Sequence, residues 1–204
     1  MSFSGKVKEE IGKKISAARH CQIAEIAAIL ELCGTIVINR FNQYSIKIHT
    51  ENLVVVRKVF TLIEKTFNIK TDISIRRNVR KCSASYSVIV KHHEDALRIL
   101  QATKMIDDDY RKMVEVQPAN PLVVRQTCCR RAFIRGAFLA AGSISDPEKS
   151  YHLEIVCASE KTALKIQELI CGFSMDAKIV RRKKSYIVYL KEGEQIVDIL
   201  NIME

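Results

Sequence analysis

No tryptophan occurs in the 204 residues, and aromatic residues make up 6% of them. The row of aromatic faces on which single-stranded nucleic acids stack is therefore not expected. No apolar run approaches the ~18 residues of a membrane span. The opening stretch MSFSGKVKEE turns charged at once, without the apolar core of a secretory leader, so none is expected. Seven cysteines form an odd set with no regular spacing and no Cys-x-x-Cys. That argues against a disulfide framework and fits a reducing cytoplasm. Neither a glycine-rich phosphate loop nor a credible Ser-His-Asp set is present.

What the chain does have is a positive balance, unevenly spread. Its formal charge is +10, with 17 Lys/Arg against 9 Asp/Glu in residues 1–100 and 16 against 14 in residues 101–204. A basic half points to a polyanion, of which nucleic acid is the commonest, or else to charges that merely solvate the surface. The apolar fraction of 48% is ordinary for a soluble globular chain.

The second thing present is a repeat. A shift of 108 residues lays HCQIAEIAAILELCGTI (20–36) over CCRRAFIRGAFLAAGSI (128–144). Cys21 meets Cys129, Ala24 meets Ala132, Ala28 meets Gly136, and Gly34 meets Gly142. The segments after each copy also match in kind. QYSIKIHT alternates as a half-buried strand, ENLVVVRKVFTLIEKTF has helical spacing, NIKTDISIRR and CSASYSVIVK alternate, and HEDALRILQATKMI closes the unit as a helix. In the second unit the series is YHLEIVCAS, EKTALKIQELICGF, DAKIVRRKK, SYIVYLKEG and EGEQIVDILNIM. Its first hairpin is uncertain because SISDPEKS is short. The expected fold is α+β: two tandem, pseudo-symmetric αββαββα units. The expected divisions are a helix within 1–19 (spanning Gly5 to Ala18), a first repeat over 20–106, a connector over 107–127 with Pro118 and Pro121, and a second repeat over 128–204.

Small residues one turn apart, Ala24 and Ala28 in one motif helix and Ala132, Gly136 and Ala140 in the other, allow closer backbone approach than the usual ~8–10 Å. Either the two helices pair across a pseudo-dyad, with Gly34 and Gly142 ending them side by side, or each stripe packs on its own sheet. A helix that ends in an acid followed by Gly and Ser/Thr resembles the LAGLIDADG motif of homing endonucleases. That resemblance implies paired motif helices and a saddle of two antiparallel sheets over DNA. It also implies an acid before each glycine that binds a divalent metal. Here those positions hold Cys33 and Ala141, and neither supplies a hard oxygen ligand. Without carboxylates no two-metal cleavage is expected, so the chain is expected not to be an enzyme. The alternatives are an active endonuclease using displaced acids such as Glu31 or Asp146, and a pure protein-interaction module without DNA contact.

The wording of SFSGKVKEE and of CCRRAFIRGAFLAAGSISDPEKSYHLEIVC closely resembles the WhiA family of Gram-positive bacterial regulators. The resemblance implies a degenerate homing-endonuclease domain followed by a C-terminal helix-turn-helix domain that reads double-stranded DNA. It also implies roles in transcription control, cell division, chromosome segregation and sporulation, and a cytoplasmic, nucleoid-associated location. The helix-turn-helix domain is expected to be absent from this chain, which is expected to be a monomer, with other regulatory proteins as further partners and no cofactor.

Candidate phosphate contacts are the basic strand ends: Arg76, Arg77, Arg80 and Lys81 in the first unit, and Arg181, Arg182, Lys183 and Lys184 in the second. Lys47 and His49 on one strand, and Lys70, Ser74 and Arg76 on another, would line a saddle. The same charges would equally guard sheet edges. Arg131 and Arg135, one turn apart, could meet an acid of the other unit or a partner protein, and a structural ion pair is the expected role. Cys21, Cys128 and Cys129 stand at equivalent helix starts. Zinc sites usually show paired ligands at short loop spacing, and adjacent helical residues diverge by ~100°, so reduced packing cysteines and no metal are expected. His92-His93 is expected to mark a strand-to-helix turn.

Overall fold

The computed structural model describes residues 2–78, 83–106 and 120–204. A leading helix α1 (Phe3–Lys13) precedes a first unit of α2 (Arg19–Cys33), β1 (Gly34–Ile38), β2 (Tyr44–Thr50), α3 (Leu53–Phe67), β3 (Asp72–Asn78), β4 (Ser83–Val90) and α4 (His93–Ala102). The second unit repeats that order with α5 (Thr127–Ala141), β5 (Gly142–Ile144), β6 (Leu153–Cys157), α6 (Glu160–Cys171), β7 (Lys178–Arg182), β8 (Ser185–Leu190) and α7 (Gly193–Met203). Each unit forms one antiparallel sheet, ordered β1-β2-β4-β3 and β5-β6-β8-β7.

Local chemistry sets most boundaries. The Ser2 hydroxyl accepts from Gly5 N–H at 3.1 Å, which starts α1 at Phe3. The helix stops at Lys13, short of the expected Ala18, because Lys14 turns extended. The Asn52 side chain caps α3, and Asn68 closes it in the left-handed region at φ 57°. Ser159 caps α6 through Thr162 N–H. The doubtful hairpin of the second unit exists, with only three residues in β5; the remainder of SISDPEKS turns through Asp146, whose carboxylate accepts from Glu148 N–H. Most of the expected connector lies outside the described residues. Pro121–Val124 forms a single 3-10 turn whose Val123 and Val124 are buried, so this part is docked on the core.

The central pair is α2 and α5. Nearly every side chain from Cys21 to Leu30 and from Ala132 to Leu139 is buried, as a helix enclosed on all sides requires. Alternation in the strands turns Ile46, Ile48, Val88 and Val90 toward the helices of the first unit, and Leu153, Ile155, Val188 and Leu190 toward those of the second. The small residues do bring the motif helices together. A Cβ at Gly136 would lie 2.6 Å from the Glu25 carbonyl oxygen and 3.1 Å from Ala28 Cβ. Ala24, Ala28 and Ala132 are buried, whereas Ala140 is half-buried and lines a cavity beside α1.

The two terminal glycines work differently from a left-handed cap. Gly34 has φ −86° and Gly142 φ −85°, and each is already the first residue of a strand. Helix passes into strand with no loop. A Cβ there would lie 2.4 Å from Leu30 O at Gly34, and 2.4 Å from Phe138 Cδ2 at Gly142. Close approach, not positive φ, requires glycine.

Gly136→Ala measures the helix contact. Alanine gains up to ~1 kcal/mol of helix propensity, but overpacking against the α2 backbone costs about 1–3 kcal/mol. A net loss of stability in urea unfolding is expected; a neutral or stabilised variant contradicts the close packing.

Candidate nucleic-acid interface

Between the motif helices lies a buried ionic group. The Glu25 carboxylate on α2 accepts from Arg135 on α5, Nε to Oε1 at 3.0 Å and Nη2 to Oε2 at 2.9 Å. Lys58 on α3 joins Oε1 at 2.9 Å, and its ammonium also donates to the Lys14 carbonyl. Arg135 further donates to Met203 O at 3.1 Å and to Ser16 Oγ at 2.7 Å. Burial holds the Lys58 ammonium below its ordinary range, opposed by Glu25, with Arg135 adding to the depression. The acid expected for Arg135 in the other unit is thus Glu25. Arg131 instead stays exposed, with its guanidinium 6.0 Å from the Phe173 ring centroid.

Counted from the caps Asn52 and Ser159, Lys58 and Lys165 occupy equivalent positions on α3 and α6. Lys58 finds Glu25. The residue equivalent to Glu25 is Phe133, and Lys165 lies over its ring at 4.4 Å while reaching Glu31 at 3.3 Å. Glu31, the displaced acid of the alternative, is therefore buried in a bridge between units. Asp146 is spent on its turn.

At the C-terminal ends of the motif helices the donor set does not fit a divalent metal. Cys33 Sγ donates to Ile29 O at 3.2 Å, and burial pushes its pKa up to about 12, so it remains a thiol. Ala141 has no donor atom. Between these ends stands an ammonium: Lys8 of α1 donates to Leu139 O at 3.0 Å, lies 5.6 Å from the Phe138 ring centroid and acts electrostatically on Cys33. The thiol and the methyl group offer no hard oxygen ligand, and the ammonium repels Mg²⁺.

Register places the basic candidates. Thr35, Lys47, Ile89 and Asp72 lie opposite one another across the first sheet, followed on the same face by His49, Ser87 and Ser74, then by Ser85 and Arg76. This face points away from the buried isoleucines. Arg77 pairs with Ala84 and points the other way, so Arg76 and Arg77 are not one patch. Lys70 precedes β3 and is not on the strand, which starts at Asp72. Arg80 and Lys81 lie outside the described residues. On the second sheet Lys178, Val180 and Arg182 share the open face with Glu154, Val156, Tyr189 and Ile187. Arg181 points to the helix side, over the Tyr186 ring at 5.9 Å. Lys183 and Lys184 form the turn, with Lys183 at φ 55°.

Each open face is mildly basic. Lys47 and Arg76 stand against Asp72, which pairs with Lys91 at 3.0 Å. Lys178 and Arg182 stand against Glu154, which is held by His152 at 3.3 Å and by Ser143 at 3.2 Å. His93 takes a structural part: its Nδ1 accepts from Tyr44 N–H at 2.9 Å where α4 begins.

The N-terminal ends of the helices show what the cysteine spacing concealed. His20, Cys21, Cys128 and Cys129 bring their ligand atoms within 4.8 Å of one another. The ~100° divergence of neighbouring helical residues is no obstacle, because the four come as adjacent pairs from the first turns of two helices that face each other. Glu25, Lys58 and Lys8 were also missed as partners. Only Glu25, a lone acid inside an apolar run, carried a signal in the sequence.

Burial lowers Lys8 from 10.5 to about 8, so folding disfavours its charged form, and the stability withheld returns as pH rises from about 8 to 10.5. Lys8→Met should be more stable than wild type at neutral pH, by a margin that shrinks across that window. Paired urea melts measure it, and a pH-independent margin contradicts the burial of the ammonium.

Comparison with known proteins agrees with this geometry. Residues 19–106 match the family described as the WhiA N-terminal LAGLIDADG-like domain, and residues 130–204 match the WhiA LAGLIDADG-like domain. The probable cell division protein WhiA of Lachnoclostridium phytofermentans is 52% identical over 205 residues, covering 100% of this chain and 65% of that protein. Its counterpart from Alkaliphilus oremlandii is 43% identical over 207 residues, covering 100% and 64%. The chain thus spans slightly less than two thirds of these relatives. Full-length DUF199/WhiA from Thermatoga maritima superposes with a TM-score of 0.75 at 19% identity, covering 100% of this chain and 62% of that one. The homing endonuclease I-DmoI in complex with DNA and Mn gives 0.60 at 12% identity, covering 91% and 97%. These last two likenesses concern the fold. With both of its repeats matched and its whole length aligned to named relatives, the chain belongs to the WhiA family, on a LAGLIDADG homing-endonuclease fold.

Proposed function

We propose that this chain is a non-cleaving, nuclease-fold platform of a DNA-binding cell-division regulator. The observation that carries the proposal is the set of groups at the helix ends. Cys33, Ala141 and the Lys8 ammonium stand where metal-dependent cleavage needs carboxylates. The fold's relationship to a DNA-bound endonuclease and the mildly basic open faces support a residual affinity for duplex DNA through Lys47, Arg76, Lys178 and Arg182. Main reading of sequence would belong to a helix-turn-helix domain elsewhere in the longer protein. Transcription control, chromosome segregation and sporulation are the processes this reading connects to the relatives' cell-division name.

A second reading, a protein-docking module without DNA contact, draws on the aliphatic side chains of the same open faces. Val37, Val156 and Val180 are 45%, 39% and 44% exposed, and such groups favour a protein partner over phosphate.

Two measurements separate these readings. Fluorescence anisotropy with random duplex DNA should show weak binding that falls with salt, at a log–log slope of roughly −0.9 per phosphate contact. The double variant Arg76→Ala/Arg182→Ala should weaken it. Flat zero binding at low salt favours protein docking. Supercoiled plasmid incubated with Mg²⁺ or Mn²⁺ should remain intact; nicking that Glu31→Gln abolishes overturns the non-cleaving assignment.

A further inference from the structure

The first turns of α2 and α5 meet at the edge of the helix pair remote from Cys33 and Ala141. His20 Nδ1 lies 3.2 Å from Cys129 Sγ, 3.4 Å from Cys21 Sγ and 4.0 Å from Cys128 Sγ. We propose that His20, Cys21, Cys128 and Cys129 form a Cys₃His site for a tetrahedral zinc ion that clamps the two repeats together.

The spacing matches the metal. With Zn–S of ~2.3 Å and Zn–N of ~2.0–2.1 Å, tetrahedral geometry sets S···S edges of about 3.8 Å and N···S edges of about 3.6 Å. The three N···S separations bracket the latter value, and no pair of ligand atoms exceeds 4.8 Å. The widest separation allowed exceeds the S···S edge by about 1 Å, a closure that rotamer adjustments of two facing side chains supply.

Packing alone does not explain the cluster. It accounts for Cys21 and Cys129, which are buried, but Cys128 and His20 are exposed and still lean into the same point. Exposed side chains have no apolar reason to converge.

Charge also fits. Binding Zn²⁺ displaces three thiol protons and uses the lone pair of a neutral imidazole, so the occupied site carries one net negative charge. It would sit at the positive ends of two helix dipoles. Neither helix has a side-chain N-cap, and neither has an acid in its first turn, so neither helix supplies its own counter-charge there. One adjacent ligand pair from each repeat makes the ion a cross-link between two halves far apart in sequence. Closing so long a loop contributes folding free energy directly.

The test uses the full chain, reduced and stripped of metal by a chelator. Titration with Co²⁺ should give the intense visible bands of tetrahedral cobalt together with thiolate-to-metal charge transfer. One equivalent of Zn²⁺ should bleach both, and Zn²⁺ should raise the melting temperature. Removing a group that merely hydrogen-bonds to a metal ligand costs ~10–100-fold in affinity, so loss of a ligand itself in Cys128→Ser or His20→Ala should cost about 100-fold or more. Both positions are exposed, so folding should survive, and Cys171→Ser, an exposed cysteine on α6, should bind as wild type. The proposal is overturned by a pale octahedral cobalt spectrum. It is equally overturned by affinity unchanged in Cys128→Ser, or by a freshly isolated chain that holds a disulfide among these cysteines and no zinc.

Discussion

Two helix backbones lie so close that a single β-carbon at position 136 would strike the Glu25 carbonyl oxygen, and this contact fixes the rest of the molecule. The neighbouring residue on α5, Arg135, reaches back to the carboxylate of that same Glu25. One position on α2 therefore takes part in both a close steric contact and a buried ionic contact between the repeats. Once α2 and α5 are placed, Gly34 and Gly142 carry the chain directly into the edge strands β1 and β5, and both sheets take their orientation from the helix pair.

The ionic group breaks the pseudo-symmetry that the steric contact keeps. A two-fold repeat would place a carboxylate beside each of the equivalent lysines. Instead Lys58 has Glu25, and Lys165 has the face of Phe133 and the carboxylate of Glu31. Both acids of α2 are thereby committed to holding the units together, and none remains at the helix ends. Polarity stands inside the interface, while the edge where a nuclease would bind metal is closed by a thiol, a methyl group and the Lys8 ammonium. The contacts that assemble the fold, Gly136 against the α2 backbone and Arg135 with Glu25, are separate from the groups at the helix ends.

Much of this was legible in the sequence. The 108-residue offset aligned Ala28 with Gly136 and Gly34 with Gly142, and hydrophobic periodicity located the helices behind them. Cys33 and Ala141 could be read as missing acids because the resemblance to the LAGLIDADG motif implies an acid before each glycine. What could not be read depends on distance across the fold. Arg76 and Arg77 look like one basic patch until register sends them to opposite faces. Lys70 looks like a strand residue until Asn68 ends α3 in the left-handed region and β3 starts late. His20 with Cys21 and Cys128 with Cys129 look like unrelated pairs, since metal spacing is sought along one chain segment and these converge only through helix pairing. Lys8 gives no sign in sequence that α1 will carry it to the end of α5.

The central claim is that Glu25 is the common counter-ion of two buried cations and so joins three helices. A thermodynamic cycle on Glu25→Gln and Lys58→Met tests it most directly, with the four unfolding free energies taken from urea melts. Glu25→Gln alone leaves Arg135 and Lys58 buried without their carboxylate, at a cost of about 3–5 kcal/mol. Removing Lys58 should then be more favourable in that background than in wild type, with a coupling of roughly 1–3 kcal/mol. Effects that add to within about 0.5 kcal/mol would contradict the account.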